Sequence, residues 1–577
     1  MKIVIVGGVA AGMSAAARAR RLSEHSEIVV FERGEHVSFA NCGLPYYVGG
    51  EIEAEQDLLL HTPQSLRASL DLDVRVNHEV TALDATGKTV TVVGPSGEER
   101  VSYEVLILAP GAYATKPPIA GLDSPRVRTL RTVGDAVALR DRVSSGARKA
   151  VVLGAGFIGI EAGEALRMQG LHVDLVEFAP HVLPPLENEL ASTVTAELRR
   201  LGIEVNDGTA AEAIEIGEDH DSVLLSDGRR LQADLIVLSV GVRPDTAVFE
   251  AAGVACERGA IVVDEHGQTN LPQVYAAGDA VVSVDRVTGA RRPVALAGPA
   301  NRAGRQIADH VFLGAKARPL PSPIGTAIVR VGELTAAMTG ANRAALEQAG
   351  IDFHTLHLHP AQHAGYFPGA TPLSIVAHIR SGDGLLLGAQ AVGREGVDKR
   401  IDVLATAIRA GMTAEDLIDL DLAYSPVYGS AKDPVNMIGM IASNVLDGTL
   451  KLWYAQQWAG GEAGAGAGAG AGEAAGGTVD IVDPKRVLVL DVRSEAEFAG
   501  LHLPGALNVP HTELRQRLDE VHEAAAGRPV RVLCASGVRS HIANRVLVQA
   551  GFDSASLSGG MKTAQTVLGA EAFTRAS

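Results

Sequence analysis

The stretch KAVVLGAGFIGIEAGEALRMQGLHVDLVEF, Lys149 to Phe178, decides how the chain is built. A β-rich run enters a complete G-x-G-x-x-G turn at Gly154, Gly156 and Gly159, a helical pattern follows, and a second β-rich run ends on Glu177, 18 residues after Gly159. This is the order of a βαβ unit that binds a dinucleotide. The glycines allow a tight bend and bring backbone N–H groups at the helix start close to a pyrophosphate, whose charge the helix dipole favours. An acid ending the second strand accepts from a ribose hydroxyl. Glu177 would repel a 2′-phosphate and no arginine adjoins it, so NADH is expected over NADPH.

The same order opens the chain in KIVIV, GGVAAG and EIVVFER. Gly7 and Gly12 fill the outer glycine positions and Gly8 lies between them, but Val9 stands at the middle one. Glu32 follows 20 residues after Gly12, with Arg33 beside it. Two dinucleotide folds are therefore expected. From about Pro323 the texture changes to alternating polar and apolar residues with one long helical pattern near 397–412, which predicts an antiparallel α+β unit. Ala459–Gly477 is a Gly/Ala run that reads as a flexible tether, with a span of roughly 25 Å for a chain of that length. Beyond it RVLVLDVR, ALNVP and PVRVLCAS predict a small α/β domain.

The chain has 577 residues, 46% of them hydrophobic, enough for several separate cores. Its net charge of −17 opposes nucleic acid and anionic membranes as partners and leaves a small molecule. No stretch reaches the roughly 18 uninterrupted apolar residues of a membrane helix, and glycines and arginines in the first 21 residues argue against a signal peptide. Cys42, Cys256 and Cys534 are too few and dispersed for a disulfide framework or a metal cluster, and suit a cytoplasmic setting. FHTLHLH reads as a strand with His357 and His359 on one polar face, not as a metal site; Cys256 reads as a packed thiol.

The two nucleotide units, LILAPGA (106–112) and VYAAGDA (274–280) together resemble the flavoprotein disulfide reductases over residues 1 to about 455. The resemblance implies FAD on the first unit, NADH or NADPH on the second, and Gly278 and Asp279 on the flavin chain. The lone cysteine in SFANCGLPYY, where two-cysteine relatives carry C-x4-C and this chain has Tyr47, resembles the coenzyme A-disulfide reductase branch. On that resemblance the second sulfur arrives with the substrate. Cys42 is then the redox nucleophile, Ser38, Asn41, Arg18, Arg21 and Lys432 meet coenzyme A, and Tyr366 and Tyr424 reach the cysteine across a homodimer. SLRASLDLDV lacks the lysine that the branch often uses for coenzyme A.

The C-terminal sequences LDVRSEAEFAGLHLPGALNVP and VLCASGVRSHIANRVLVQAGF resemble a rhodanese. Cys534 sits at a strand-to-helix turn whose N–H groups, Ala535 to Arg539, stabilise a thiolate or persulfide. Its C-x4-R loop is sized for sulfur, where the C-x5-R of cysteine phosphatases encloses a phosphate. Asp491 and Arg493 match a structural strand end, and Thr563 or a neighbour replaces the expected aromatic.

The fold expected is α/β: two Rossmann-type dinucleotide-binding domains, an α+β dimerisation domain and a C-terminal rhodanese-like α/β domain. The boundaries are 1–115 and 250–322 (FAD), 116–249 (NAD(P)H), 323–455 (dimerisation), 456–478 (linker) and 479–577 (rhodanese). The function expected is NAD(P)H-driven, FAD-dependent reduction of coenzyme A disulfide, coenzyme A persulfide or polysulfide, coupled to sulfur transfer by Cys534 and Arg539, with coenzyme A as substrate or bound carrier. Two rivals are an NADH oxidase or peroxidase with a Cys42 sulfenic acid and a redox-sensing binding protein.

Overall fold

A computed structural model describes residues 1–459 and 481–575, which fall into two compact units, Met1–Val182 with Leu198–Gly325 and Leu183–Glu197 with Thr326–Ser577. In the first unit KIVIV and KAVVL are uninterrupted apolar runs because each is a central strand of a parallel sheet. Lys2–Val6 lies between Glu27–Glu32 and Val105–Leu108, with Asp73–Val76 and Val274–Ala276 at the edges. Lys149–Leu153 takes the same place in a second sheet, between His172–Val176 and Leu235–Leu238, with Ile203–Asn206 and Val127–Arg128 outside. The chain returns late to the first sheet. Helix Ala297–Leu313 packs on Ala10–Leu22 so closely that a Cβ on Gly304 would lie 2.0 Å from the Ala11 carbonyl oxygen.

The second unit holds an antiparallel sheet in the order Ala327–Val331, Leu334–Gly340, Leu386–Gly393, Leu373–Arg380, Phe353–Leu358, with the long helix Val397–Ala410. A parallel sheet follows, in the order Leu452–Trp453, Ser554–Leu557, Val530–Leu533, Leu488–Asp491, Leu507–Asn508. Among the described residues no helix is long and apolar enough to cross a membrane.

Three expectations need correction. The boundary drawn after residue 455 is too late, because Leu452–Trp453 is an edge strand of the C-terminal sheet and Trp453 and Trp458 are buried in that domain's core. Most of the linker assigned to 456–478 lies outside the described residues, yet its flanks meet: Trp458 bridges Val482, and the Ala459 N–H donates to the Val482 carbonyl at 3.2 Å. The described residues on both sides of the run therefore belong to the C-terminal domain. Secondly, residues 183–197, assigned to the NAD(P)H domain, belong to the second unit. The Glu187 backbone N–H donates to Gln390, the Glu187 carboxylate pairs with buried His378, and Glu189 pairs with buried His357. Thirdly, the strand expected through His359 ends at Leu358; His357, buried, and His359, half-buried, are each bonded to polar partners on both ring nitrogens.

Candidate functional site

The two glycine turns are built alike. Gly7 and Gly154 have φ of 96° and 97°, and a Cβ on either would lie 2.0 Å from the Ala109 oxygen or 2.6 Å from the Ser239 oxygen. Gly12 and Gly159 hold the helix against the turn, a Cβ there falling 1.9 and 1.8 Å from the carbonyl oxygens of Gly7 and Gly154. No rotamer relieves a clash with backbone, so these four glycines serve the fold. The middle position differs. A Cβ on Gly156 meets nothing within 4 Å, and Val9 occupies the corresponding place at the N-cap of Ala10–Leu22. The departure at Val9 thus falls where a side chain costs the protein nothing.

The acids are also fixed alike. Glu32 accepts from the N–H groups of Gly8 and Gly34 at 2.7 and 2.8 Å, and Glu177 from those of Ala155 and Ala179 at 2.7 and 2.8 Å. Each carboxylate is held at its strand end beside its glycine turn. Arg33 is ion-paired with Asp245. Gly278 packs against Ala11, a Cβ there lying 3.3 Å from the Ala11 side chain, which brings Asp279 to the first turn. Burial raises the Asp279 pKa, and Arg131, 3.7 Å away, partly offsets it. A glycine cradle, a fixed acid and a half-buried carboxylate on one sheet edge fit FAD, and the second cradle with Glu177 fits a nicotinamide dinucleotide.

Cys42 stands in the turn Asn41–Gly43, ahead of the short helix Leu44–Val48. Its segment is tied to the first turn. Ser38, in the left-handed region at φ 51°, donates its N–H to the Gly8 carbonyl at 2.9 Å, and a Cβ on Gly8 would lie 2.9 Å from Val37. A non-glycine residue at that φ is held there by its surroundings. Cys42 and Asn41 are exposed, yet the sulfur is crowded enough for desolvation to raise the thiol pKa, reinforced by the charges of Glu161 and Asp279. Tyr47, at the second position of C-x4-C, is buried under Arg140, and all three cysteines are free. Glu161, two residues after Gly159 and 3.3 Å from the Tyr46 hydroxyl, was missed in the sequence; its place on the helix of the complete turn was the available signal.

Arg18 bonds Asp309 at 2.5 Å, whereas Arg21 is exposed with no ion pair among the described residues. Arg20 between them is buried and donates to the carbonyls of Ser23, Glu24, Leu70 and Asp71, a structural task. In the second unit the structure brings Tyr366 and Tyr424 together, their hydroxyls 3.3 Å apart and the residues 77% and 50% exposed. Its hydrogen bond to Tyr424 raises the Tyr366 pKa, so the phenol keeps its proton. Lys432 is exposed nearby in sequence.

Cys534 lies between strand Val530–Leu533 and helix Val538–Gln549 and is 1% exposed. The Gly537 N–H donates to its sulfur at 3.2 Å, and Ser540 Oγ lies 3.4 Å away. Arg539 binds Glu497 through both Nη atoms at 2.7 Å, and this holds the Glu497 pKa down to about 2. The guanidinium is still near enough to Cys534 and Asp491 for their charges to raise its own pKa. Asp491 and Arg493 form a buried pair at 2.6 Å. Cys256 is partly buried beside Thr246, and burial raises its pKa.

Comparison with known proteins agrees with this division. The pyridine nucleotide-disulphide oxidoreductase family model matches residues 1–295, that family's dimerisation domain 326–434, and the rhodanese-like domain 478–565. A coenzyme A disulfide reductase of Staphylococcus haemolyticus is 36% identical over 450 residues, 77% of this chain and 100% of the relative. The solved structure of reduced Bacillus anthracis CoADR-RHD superposes with a TM-score of 0.92 at 38% identity, covering 99% of this chain and 98% of the other. An NAD-dependent persulfide reductase from A. fulgidus superposes with a TM-score of 0.88 at 35% identity, covering 98% of this chain and 100% of that one. The chain therefore belongs to the pyridine nucleotide-disulphide oxidoreductase family and is a flavin-dependent oxidoreductase with a C-terminal rhodanese-like domain.

Proposed function

We propose that the protein uses NADH to reduce the S–S bond of coenzyme A disulfide, a coenzyme A persulfide or a polysulfide, with Cys42 as its single redox cysteine. The observation that carries this reading is the isolation of Cys42: it is exposed, tied to the first nucleotide turn, and the position of a second cysteine is taken by the buried Tyr47. The likeness to a persulfide reductase over nearly the whole chain, rhodanese-like domain included, supports sulfane sulfur as substrate.

FAD, held by Gly7, Gly8, Gly12, Glu32, Gly278 and Asp279, supplies two-electron exchange between nicotinamide and sulfur when bound. The protein's own residues do the rest. The Cys42 thiolate displaces one sulfur of R–S–S–R′, forming a mixed disulfide and releasing R′–S⁻. Tyr366 and Tyr424, from a second copy of the chain, donate to the leaving thiolate. Both lie within the stretch matched by the dimerisation model, which supports a homodimer. A disulfide with NADH and H⁺ yields two thiols and NAD⁺; a persulfide yields a thiol and hydrogen sulfide. Arg21, free of an ion pair among the described residues, is the readier cation for a coenzyme A phosphate, with Arg18, Ser38, Asn41 and Lys432 completing the contacts. A carrier thiol such as coenzyme A moves sulfur from Cys534 to Cys42. Three free thiols fit a cytoplasmic setting.

The test is NADH-driven turnover with coenzyme A disulfide, coenzyme A persulfide, polysulfide, oxygen and hydrogen peroxide as acceptors. A sulfur acceptor should exceed oxygen and peroxide in kcat/KM by about tenfold or more. Peroxide as the best acceptor would favour the sulfenic acid chemistry of an oxidase or peroxidase.

A further inference from the structure

The histidines of the antiparallel sheet lead to Cys534. His357 Nε2 lies 2.6 Å from Glu189 Oε1, and its Nδ1 lies 2.8 Å from Ser558 Oγ, which also accepts the His357 backbone N–H at 3.2 Å. Burial works against the Glu189 charge, yet His357 and Arg343 hold its pKa well below the usual carboxylate range. With Nε2 engaged by that carboxylate, Nδ1 bonds the Ser558 hydroxyl. His359 is bonded to Ser374 Oγ at 3.0 Å and Thr563 Oγ1 at 2.9 Å, and burial, then Lys562 and His357, push its pKa down to about 3, so it is neutral. Ser558 and Thr563 bracket the turn Ser558–Gly559 and the first turn of the helix Gly560–Leu568, and both are buried.

The N-terminal turn of that helix holds the Cys534 loop. The Met561 N–H donates to the Cys534 carbonyl at 2.8 Å and the Lys562 N–H to the Ala535 carbonyl at 3.0 Å. The glycines between Ser558 and Met561 are squeezed from both sides: a Cβ on Gly559 would lie 2.7 Å from His357 Cβ, and one on Gly560 2.5 Å from the Cys534 oxygen. A trans peptide plane points its C=O and the next N–H in opposite directions. Holding the carbonyls of Cys534 and Ala535 outward therefore turns the N–H groups of Ala535 and Ser536 the other way, into the loop that surrounds the sulfur.

We propose that His357 and His359 are positioning residues for Cys534: they fix the turn and helix start Ser558–Thr563, and that helix start aims the amides that stabilise the Cys534 thiolate and persulfide. The inference rests on the sulfur-transfer reading of Cys534 and assigns part of its activation to a different domain of the same chain. The other charged groups near the sulfur, Arg539 with Glu497 and Asp491 with Arg493, are untouched by these contacts.

The test follows alkylation of Cys534 by iodoacetamide against pH, read by the mass of its peptide, in the intact FAD-loaded protein. His359→Ala and His357→Ala should raise the midpoint, slowing the reaction at neutral pH about tenfold while leaving the high-pH rate unchanged, because only the stability of the thiolate is altered. His359→Gln, which can still bond Thr563, should recover much of the loss. Thr563→Val and Ser558→Ala, small changes on the other side of the contacts, should shift the midpoint the same way and decide the matter if the histidine variants do not fold. An unmoved midpoint in these variants, or a change confined to the high-pH rate, would overturn the proposal. Transfer of sulfane sulfur from thiosulfate to cyanide by the unsubstituted protein tests the underlying reading separately, since the alkylation midpoint does not depend on turnover.

Discussion

Cys42 and Cys534 are two sulfurs in one chain with opposite surroundings. Cys42 is exposed, in a turn of three residues, and the charged groups that act on its thiol are the carboxylates of Glu161 and Asp279, which discourage ionisation. Cys534 is buried at the start of a 12-residue helix, with an N–H on its sulfur and an arginine nearby. The second environment supplies the sulfur with an N–H donor and a nearby guanidinium from the protein alone. The first does not, so the nucleophile at Cys42 depends on what binds beside it. The contrast matches two tasks, accepting electrons from a bound cofactor and holding a sulfur atom between reactions.

The contrast can be broken most sharply at Cys42 itself. Cys42→Ser should leave reduction of the flavin by NADH intact and lower disulfide and persulfide reduction by about a thousandfold or more, as loss of a covalent catalyst does; steady-state turnover read beside rapid-mixing absorbance separates the two. Cys534→Ser should divide the substrates instead. Reduction of a small disulfide should stay normal while turnover of a sulfane-sulfur donor falls by about a hundredfold, and equal rates on both would remove sulfur transfer from the account.

Smaller effects sharpen the surroundings. Tyr366→Phe and Tyr424→Phe should each slow disulfide reduction about ten- to a hundredfold with FAD retained, the usual cost of a lost proton donor. Glu177→Ala should narrow the preference for NADH over NADPH in kcat/KM by about tenfold, because the ribose acceptor and the charge that repels a phosphate go together. Glu161→Gln should be the mildest. Removing one negative charge lowers the Cys42 pKa, so the alkylation midpoint should fall by about half a unit and the thiolate fraction at neutral pH rise about threefold; a rise in the midpoint would show that the Glu161 charge is not felt at the sulfur.

The parts of this fold that were readable in the sequence are those fixed by local backbone geometry. Gly7, Gly12, Gly154 and Gly159 are demanded by contacts within their own βαβ units, so their spacing carries the information. The open space at Gly156 explains why Val9 at the equivalent place did not mislead. What was not readable depends on distant partners. Leu452–Trp453 is a two-residue strand whose partner, Ser554–Leu557, lies about a hundred residues on, and no periodicity exists in so short a run. His357 meets Ser558 from 201 residues away, so nothing near it in the sequence announces that the C-terminal domain covers it. The closeness of Tyr366 and Tyr424 came from resemblance, since nothing in the 58 residues between them announces it.

The central claim is that one sulfur of the protein and one of the substrate make the working disulfide. It is tested most directly by mixing NADH-reduced Cys534→Ser protein with an isotopically labelled small disulfide, quenching with acid within the first turnover, and locating the label by peptide mass. The account predicts half of the labelled molecule on Cys42 as a mixed disulfide that dithiothreitol removes. Label on Cys256 alone, or rapid thiol production with no label on any cysteine, would contradict it.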